Sequence, residues 1–303
     1  MATPQPLRIG TRGSPLAMAQ TEEVQKKLGG FAATEIVEIK TTGDKITDRA
    51  LADVGGKGLF SKEIDAALLD GRIDLAVHSA KDLETRLAEG IELAAVLERE
   101  DPRDVIICRD AASLDDLPAG SVIGTASVRR QAQLLNRRPD LSIGLIRGNV
   151  QTRLRKLEAG ECDATMLALA GLNRLGMAHV ATQVLDSDIL LPAVAQGAIG
   201  VTCRDGDVDV SSHLTAINHA SSAARIAAER AMLHVLDGTC HTPIGGLATL
   251  GDDGTLTLRG LVARADGSEV FRTEQAGPAT EAEAIGRAAG ADLKSQAGPD
   301  LFG

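Results

Sequence analysis

The chain has 303 residues, 44% of them hydrophobic, and a formal net charge of −10, yet it holds no Trp, no Tyr and only four Phe. That length exceeds one ordinary core and predicts two or three domains, with interiors built from Leu, Ile, Val and Ala. Scarce stacking side chains and a negative net charge argue against a general nucleic-acid binder, and no apolar run approaches the roughly 20 residues of a membrane-spanning helix.

In chain order, Leu7–Gly10 reads as a short strand. Ser14 then supplies an N-cap and Pro15 a first helical position for a helix over about 16–28. Glu35–Lys40 alternates as a strand, and the polar, Gly-rich stretch from Thr41 to Gly58 is longer than a routine connection. Such loops are often lids or binding loops, so residues 42–58 are expected to cover a site. A helix over 61–69 leads to an apolar strand, Ile73–Val77, that runs into His78-Ser79-Ala80-Lys81-Asp82.

The same grammar repeats. Val105–Cys108 and Val122–Ile123 are strand candidates, and the second ends in Gly124-Thr125-Ala126-Ser127-Val128-Arg129-Arg130. Helix to Asn136, strand Ser142–Ile146, helix Val150–Ala159 and strand Ala164–Ala168 follow, the last ending near Arg174. Strand–helix alternation predicts mainly parallel sheets with helices on both faces. Asp101-Pro102-Arg103 and Leu191-Pro192 are the natural crossings between domains. Beyond His219 come a long helix over 220–235, a Gly/Pro loop around Cys240, strands Thr255–Ala263 and Glu269–Thr273, and a last helix over 280–296, a pattern for a small α+β domain.

Charge is unevenly spread. Of the 32 basic residues, 23 are Arg, and residues 121–160 carry eight basic side chains against two acidic ones. Arg offers a planar fork that grips a carboxylate or phosphate through two hydrogen bonds. One such residue is most often a solvated helix face; the cluster predicts a site for a multiply charged anion. In parallel α/β sheets ligands sit beyond the carboxyl ends of strands, where Arg12, Ser14, Lys81, Asp82, Thr125 to Arg130, Arg147 and Arg174 fall. Strand ends of two α/β domains are therefore expected to face one anion-binding cleft.

Four cysteines (Cys108, Cys162, Cys203, Cys240) are too few for a disulfide scaffold, and the start of the chain lacks an apolar signal region. Both lead to the expectation of a cytoplasmic protein, and nothing demands more than a monomer. Cys108, Cys162 and Cys203 lie in or near apolar strands and read as structural. The six His show no zinc-ligand spacing, and Lys57 lies in Gly55-Gly56-Lys57-Gly58 without the remainder of a P-loop, so no metal or nucleotide is expected. Phe31, Phe271 and Phe302 are expected in core or tail.

Seven segments in fixed order carry a family resemblance. They are Leu7-Arg8-Ile9-Gly10-Thr11-Arg12-Gly13-Ser14-Pro15-Leu16-Ala17, Val54-Gly55-Gly56-Lys57-Gly58-Leu59-Phe60, Ala76-Val77-His78-Ser79-Ala80-Lys81-Asp82 and Glu100-Asp101-Pro102-Arg103-Asp104. Gly124 to Arg130, Arg147-Gly148-Asn149-Val150-Gln151-Thr152-Arg153 and Leu191-Pro192-Ala193-Val194-Ala195-Gln196-Gly197 complete the set. Over essentially its whole length the chain resembles the porphobilinogen deaminases (hydroxymethylbilane synthases).

The resemblance implies an α/β fold of two periplasmic-binding-protein-like, doubly wound domains plus a small α+β C-terminal domain. Its boundaries would be 1–99 plus 196–217, 100–195 and 218–303. It implies a transferase of tetrapyrrole (heme, porphyrin) biosynthesis that condenses four porphobilinogen molecules head to tail, releases ammonia and hydrolyses the product free as hydroxymethylbilane. The partners are porphobilinogen and the growing linear oligopyrrole, with no nucleic acid and no membrane. The cofactor is a dipyrromethane joined by a thioether to Cys240.

By motif position Asp82 is the catalytic carboxylate, with Lys81 beside it. Lys57, Ser79, Lys81, Asp82, Thr125 and Ser127, with Arg129, Arg130 and Arg147, are the cofactor-binding residues the resemblance implies. Arg12, Ser14, Phe60, Arg147, Arg153, Arg174 and Gln196 are the substrate-binding ones, and no metal is implied. Each porphobilinogen carries an acetate and a propionate, which fits an Arg-rich site in an acidic protein. The chain departs from the family pattern in Thr239 before Cys240, where glycine is usual, and in Glu84, where proline is usual. Neither change removes a reactive group. A non-enzymatic two-domain anion- or solute-binding protein is the alternative.

Overall fold

The computed structural model describes residues 5–45, 61–237, 242–298 and 301. In chain order these form β1 (Leu7–Thr11), α1 (Pro15–Leu28), β2 (Thr34–Glu38), α2 (Thr42–Lys45), α3 (Lys62–Leu69), β3 (Leu75–Ser79) and β4 (Ile91–Val96). Then come β5 (Asp104–Cys108), β6 (Val122–Gly124), α4 (Val128–Arg137), β7 (Ser142–Gly144), α5 (Val150–Glu158), β8 (Ala164–Ala168), α6 (Leu169–Arg174) and β9 (Gln183–Val184). The remainder is β10 (Ile199–Arg204), α7 (Val208–Ile217), α8 (Ala220–Leu236), β11 (Ile244–Leu250), β12 (Thr255–Ala263), β13 (Val270–Pro278) and α9 (Ala282–Ala297).

Two compact units result. The first gathers the described residues of Met1–Ile46, Gly55–Glu100 and Gly197–Ala223; the second holds those of Asp101–Gln196 and Ala224–Gly303. In the first, a five-stranded sheet runs β2-β1-β3-β10-β4. Its strands alternate between two cores. Leu75 and Val77 join Ile9, Val24 and Leu214 on one face, while Ala76 packs with Ile64, Leu68 and Ile73 on the other. This period of two, apolar on both sides, is what a sheet sandwiched between helices requires.

The second unit repeats the plan with a sheet ordered β7-β6-β8-β5-β9, again covered on both faces. Both sheets are less parallel than the sequence grammar predicts. β1 is parallel to β2 and β3, but β10 runs antiparallel to β3 and β4; β6 is parallel to β7 and β8, but β5 runs antiparallel to β8 and β9. Both reversed strands begin a few residues after the chain passes between units. Strand direction there is set by where the chain re-enters, which local alternation does not encode.

The C-terminal domain is a small antiparallel sheet, β11-β12-β13, packed with helices around Leu256, Leu258, Met232, Ala289 and Leu293. β11, unrecognised in the Gly-rich sequence after Pro243, pairs along its whole length with β12. The domain docks on the Arg-rich α/β domain within the same unit. Ala132 of α4 and Leu191 pack against Leu247, Leu261 and Ala263, and the β12–β13 turn lies on α4. There Gln131 donates to Ala265 O at 3.0 Å and Asn136 donates to Gly267 O at 2.9 Å. Gly267 has φ +76°, and a Cβ at this position would sit 2.6 Å from Asn136 N, so both conformation and close approach demand glycine. Phe31 departs from expectation: just past α1, it is 57% exposed rather than in a core.

Candidate active site

In the first unit the expected residues gather at one sheet edge. β1 and β3 are adjacent and parallel, so the segments following them, Arg12–Ser14 and Ser79–Asp82, emerge on the same side. Ser14 caps α1, accepting from Ala17 N at 3.3 Å. A 3-10 turn at Ala80–Asp82 ends β3; Ala80 and Leu83 point inward and are buried, which leaves Lys81 and Asp82 exposed. Ala80 N donates to Ala198 O, which fixes the turn to the segment entering β10. Half-buried Ser79 donates from Oγ to Oε1 of buried Gln20 on α1 at 3.0 Å, so its oxygen can act further only as an acceptor.

Beneath this turn lies His78, buried and within 3.1 Å of Thr202 Oγ1 on β10. Burial, aided by the positive charge of Arg12, pushes its pKa down to about 4. The folded protein therefore keeps His78 neutral where an unfolded chain takes up a proton near pH 6.5. Its contribution to stability is complete above that value and is lost as pH falls from 6.5 towards 4. Between pH 7 and pH 4.5 the wild type should lose about 2 kcal/mol more stability than His78→Gln, read from urea unfolding at both pH values.

In the second unit a matching edge is built from β6, β7 and β8. Gly124 and Gly144 are paired across β6 and β7, and Thr125 N donates to Gly144 O, so the loops after both strands lie together. Thr125 is buried and accepts from Ser127 N at 3.1 Å; Ser127 caps α4 by accepting from Arg130 N. Asn149 caps α5 through Thr152 N at 2.9 Å, and Arg153 Nε donates back to Gly148 O at 2.9 Å. Gly148 has φ +117°, which a β-carbon would not tolerate against Thr152. Arg147 and Arg153 are half-buried at this edge, and half-buried Arg174 sits in the last turn of α6, the helix that follows β8.

Arg129 and Arg130, expected to bind the cofactor, lie in a buried ion cluster. Each is 5% exposed, and their guanidinium groups converge on Asp104, which is fully buried. Arg129 donates to Asp104 Oδ2 at 2.8 Å and to Leu191 O at 2.7 Å. Arg130 donates to Asp104 Oδ1 at 2.6 Å and to Met166 O at 2.9 Å. Gln196, expected to touch substrate, is 1% exposed and donates to Pro102 O and Asp104 Oδ1. Burial alone would raise the Asp104 pKa; the two guanidiniums and these hydrogen bonds outweigh it and hold the carboxyl well below the usual range. Two cations against one anion leave a net +1 behind Thr125 and Ser127.

Asp104 itself escaped sequence reasoning as a site residue. It opens β5, and because β5 runs antiparallel to β8, with Asp104 opposite Ala168, it comes to the carboxyl edge of β8. The only local signal was its place at the end of the Glu100–Asp104 motif.

The segment that delivers Gln196 is held with similar thoroughness. Gln133 exchanges hydrogen bonds with Leu191, Gly246 N donates to Pro192 O, and Ala195 takes φ +62°. A left-handed alanine costs ~1–2 kcal/mol, so surrounding contacts must impose it.

Lys57, Phe60, Cys240, His241 and the greater part of the expected lid, residues 46–58, lie outside the described residues. The other three cysteines have thiols made less acidic chiefly by burial: Cys203 is pushed up to about 12, Cys108 to about 11, and Cys162 upward as well. Among the described residues no group of three His, Cys, Asp or Glu could hold a metal ion, and no helix is long and apolar enough to cross a membrane.

Comparison with known proteins places the chain. Residues 7–212 match the family model described as "Porphobilinogen deaminase, dipyromethane cofactor binding domain", and residues 223–295 match "Porphobilinogen deaminase, C-terminal domain". A chloroplastic porphobilinogen deaminase of Oryza sativa subsp. japonica is 54% identical over 98% of this chain and 85% of its own length. Porphobilinogen deaminase of Paracoccus denitrificans is 52% identical over 100% of this chain and 98% of its own. Among solved structures, the VFT2 domain of Bordetella pertussis BvgS aligns with 70% of this chain and 85% of its own, at 16% identity and a TM-score of 0.42. With both domain models matched in order along nearly the whole sequence, the chain belongs to the porphobilinogen deaminase family.

Proposed function

We propose that this chain is the transferase that joins four porphobilinogen molecules into hydroxymethylbilane, built on a dipyrromethane held by Cys240. The observation that carries this reading is the chemistry of the two sheet edges: an exposed carboxylate, Asp82, flanked by Lys81 in one unit, and a set of cations and capped hydroxyls in the other. The donor set fits the group. Dipyrromethane and substrate bear acetate and propionate arms, and half-buried Arg147, Arg153 and Ser127 supply the guanidinium and hydroxyl donors such arms need, while buried Thr125 holds the Ser127 backbone. When bound, the dipyrromethane supplies the free pyrrole carbon from which the chain grows.

In this reading the protein's own groups divide the work. Asp82 stabilises positive charge that develops on the pyrrole nitrogens and moves protons at its carboxylate oxygens. Lys81 holds a carboxylate arm beside it, and Ser79, its proton committed to Gln20, accepts from a pyrrole N–H. Arg12, Ser14 and Arg174 serve incoming substrate, and Lys57 and Phe60 are assigned to the same site by motif position. Arg129 and Arg130 act from behind Ser127 as the net positive charge left by Asp104, and Gln196 acts through Asp104. The chain works in the cytoplasm as a monomer.

Intact mass decides between this reading and a solute-binding protein. Wild type purified from cells that make porphobilinogen should exceed its chain mass by one dipyrromethane, and Cys240→Ser should remove both the excess and bilane formation. An unmodified wild-type chain would favour the binding protein.

A further inference from the structure

Glu229 lies in the middle of α8 with no solvent exposure, remote in sequence from Asp104, Arg129 and Arg130. Its two carboxylate oxygens accept backbone N–H groups from two separate pieces of chain. Oε2 accepts from Ala195 at 2.6 Å, and Oε1 accepts from Ala248 at 2.7 Å. Ala248 belongs to β11, the strand that begins four residues after Cys240. Ala195 is the left-handed alanine that turns the chain so that Gln196 reaches Asp104.

These contacts form a connected path. Glu229 holds Ala195; Ala195 aims Gln196; Gln196 donates to Asp104; Asp104 fixes Arg129 and Arg130. At the other end of the same carboxylate sits the strand that follows the cofactor attachment. A carboxylate suits this task because it only accepts, so both oxygens can meet N–H donors at once. An amide there would turn a donor towards one of them. We infer that Glu229 is a positioning residue, which registers the strand after Cys240 against the Asp104–Arg129–Arg130 cluster by enforcing the left-handed turn at Ala195. The inference rests on the proposed function for its catalytic consequence, though not for its geometry.

The test uses the full-length protein as purified, with the variant Glu229→Gln. Amide hydrogen exchange, read by mass spectrometry without substrate, should quicken about tenfold in the peptide spanning 191–197 and stay at the wild-type rate in β10. Turnover of porphobilinogen should fall about tenfold in kcat with KM nearly unchanged, the dipyrromethane mass still present and the circular dichroism that of the wild type. Adding Ala195→Gly to this variant should restore about threefold of the lost kcat, because glycine adopts φ +62° unaided.

A purely structural role for Glu229 would lower the melting temperature without responding to glycine at position 195. Wild-type exchange over 191–197, or a kcat loss that Ala195→Gly leaves untouched, would overturn the inference. A wild type that never consumes porphobilinogen would sink the proposed function, and the exchange measurement would still decide the positioning role.

Discussion

Replacing Asp104 with alanine should destabilise the protein by about 3–5 kcal/mol, a large part of the stability of a typical domain. The variant leaves the guanidiniums of Arg129 and Arg130, each 5% exposed, facing one another with no carboxylate between them. Gln196 would also lose its partner at Asp104 Oδ1. Buried ion groups of this kind add little when complete but cost heavily when one member is removed, because the remaining charges cannot regain water. Asp104→Asn keeps the shape and should cost less than alanine, yet it turns an amide donor towards an arginine. Urea unfolding of both variants checks the prediction; a loss below about 1 kcal/mol in Asp104→Ala would mean that the arginines relax into solvent.

Acid provides a second check on the same group. The Asp104 carboxyl is held below its unfolded value, so its stabilisation is complete above about pH 4 and is lost only as pH falls through the lower, folded value. Wild type should therefore respond to acid first through His78, between pH 6.5 and 4, and through Asp104 only below that window.

Asp82→Asn is the variant expected to separate chemistry from folding most cleanly. Asp82 is exposed on a turn anchored by its buried neighbours Ala80 and Leu83, so the amide should fold with stability within about 0.5 kcal/mol of wild type. Its mass should retain the dipyrromethane, since Cys240 is untouched. Turnover should nevertheless fall by about 10²–10⁴-fold, the usual worth of a positioned acid–base group. Steady-state formation of bilane, alongside intact mass, reads both parts; near-normal turnover would remove Asp82 from its assigned role.

Much of the candidate site's placement was legible along the chain because it is locally encoded. Ser14 before Pro15, Ser127 before α4 and Asn149 before α5 are capping residues whose partners lie three positions on. Their loops end strands, which places Arg12, Asp82, Thr125 and Arg147 at carboxyl edges. The surplus of Arg in residues 121–160 raised the expectation of an anion site in the same way.

What escaped was long-range. β4, β10 and β11 carry glycines or polar positions that blur their periodicity, and pairing with distant strands completes them. The shared partner of Arg129 and Arg130, Asp104, was hidden for the same reason. Composition marks a guanidinium as an anion partner but cannot say whether the anion is a substrate or Asp104.

The sequence by itself determined the family, the α/β grammar and the strand-end positions of the candidate site residues. Tertiary structure decided which arginines stay half-exposed and which are buried around Asp104. Asp104, Arg129, Arg130 and Gln196 meet, and Glu229 reaches them through Ala195, only because β5 enters its sheet reversed and the segment 191–196 folds back over α4. Charge is a property of each residue, but burial and partnership are properties of the packed chain, and those determine what a charge can do.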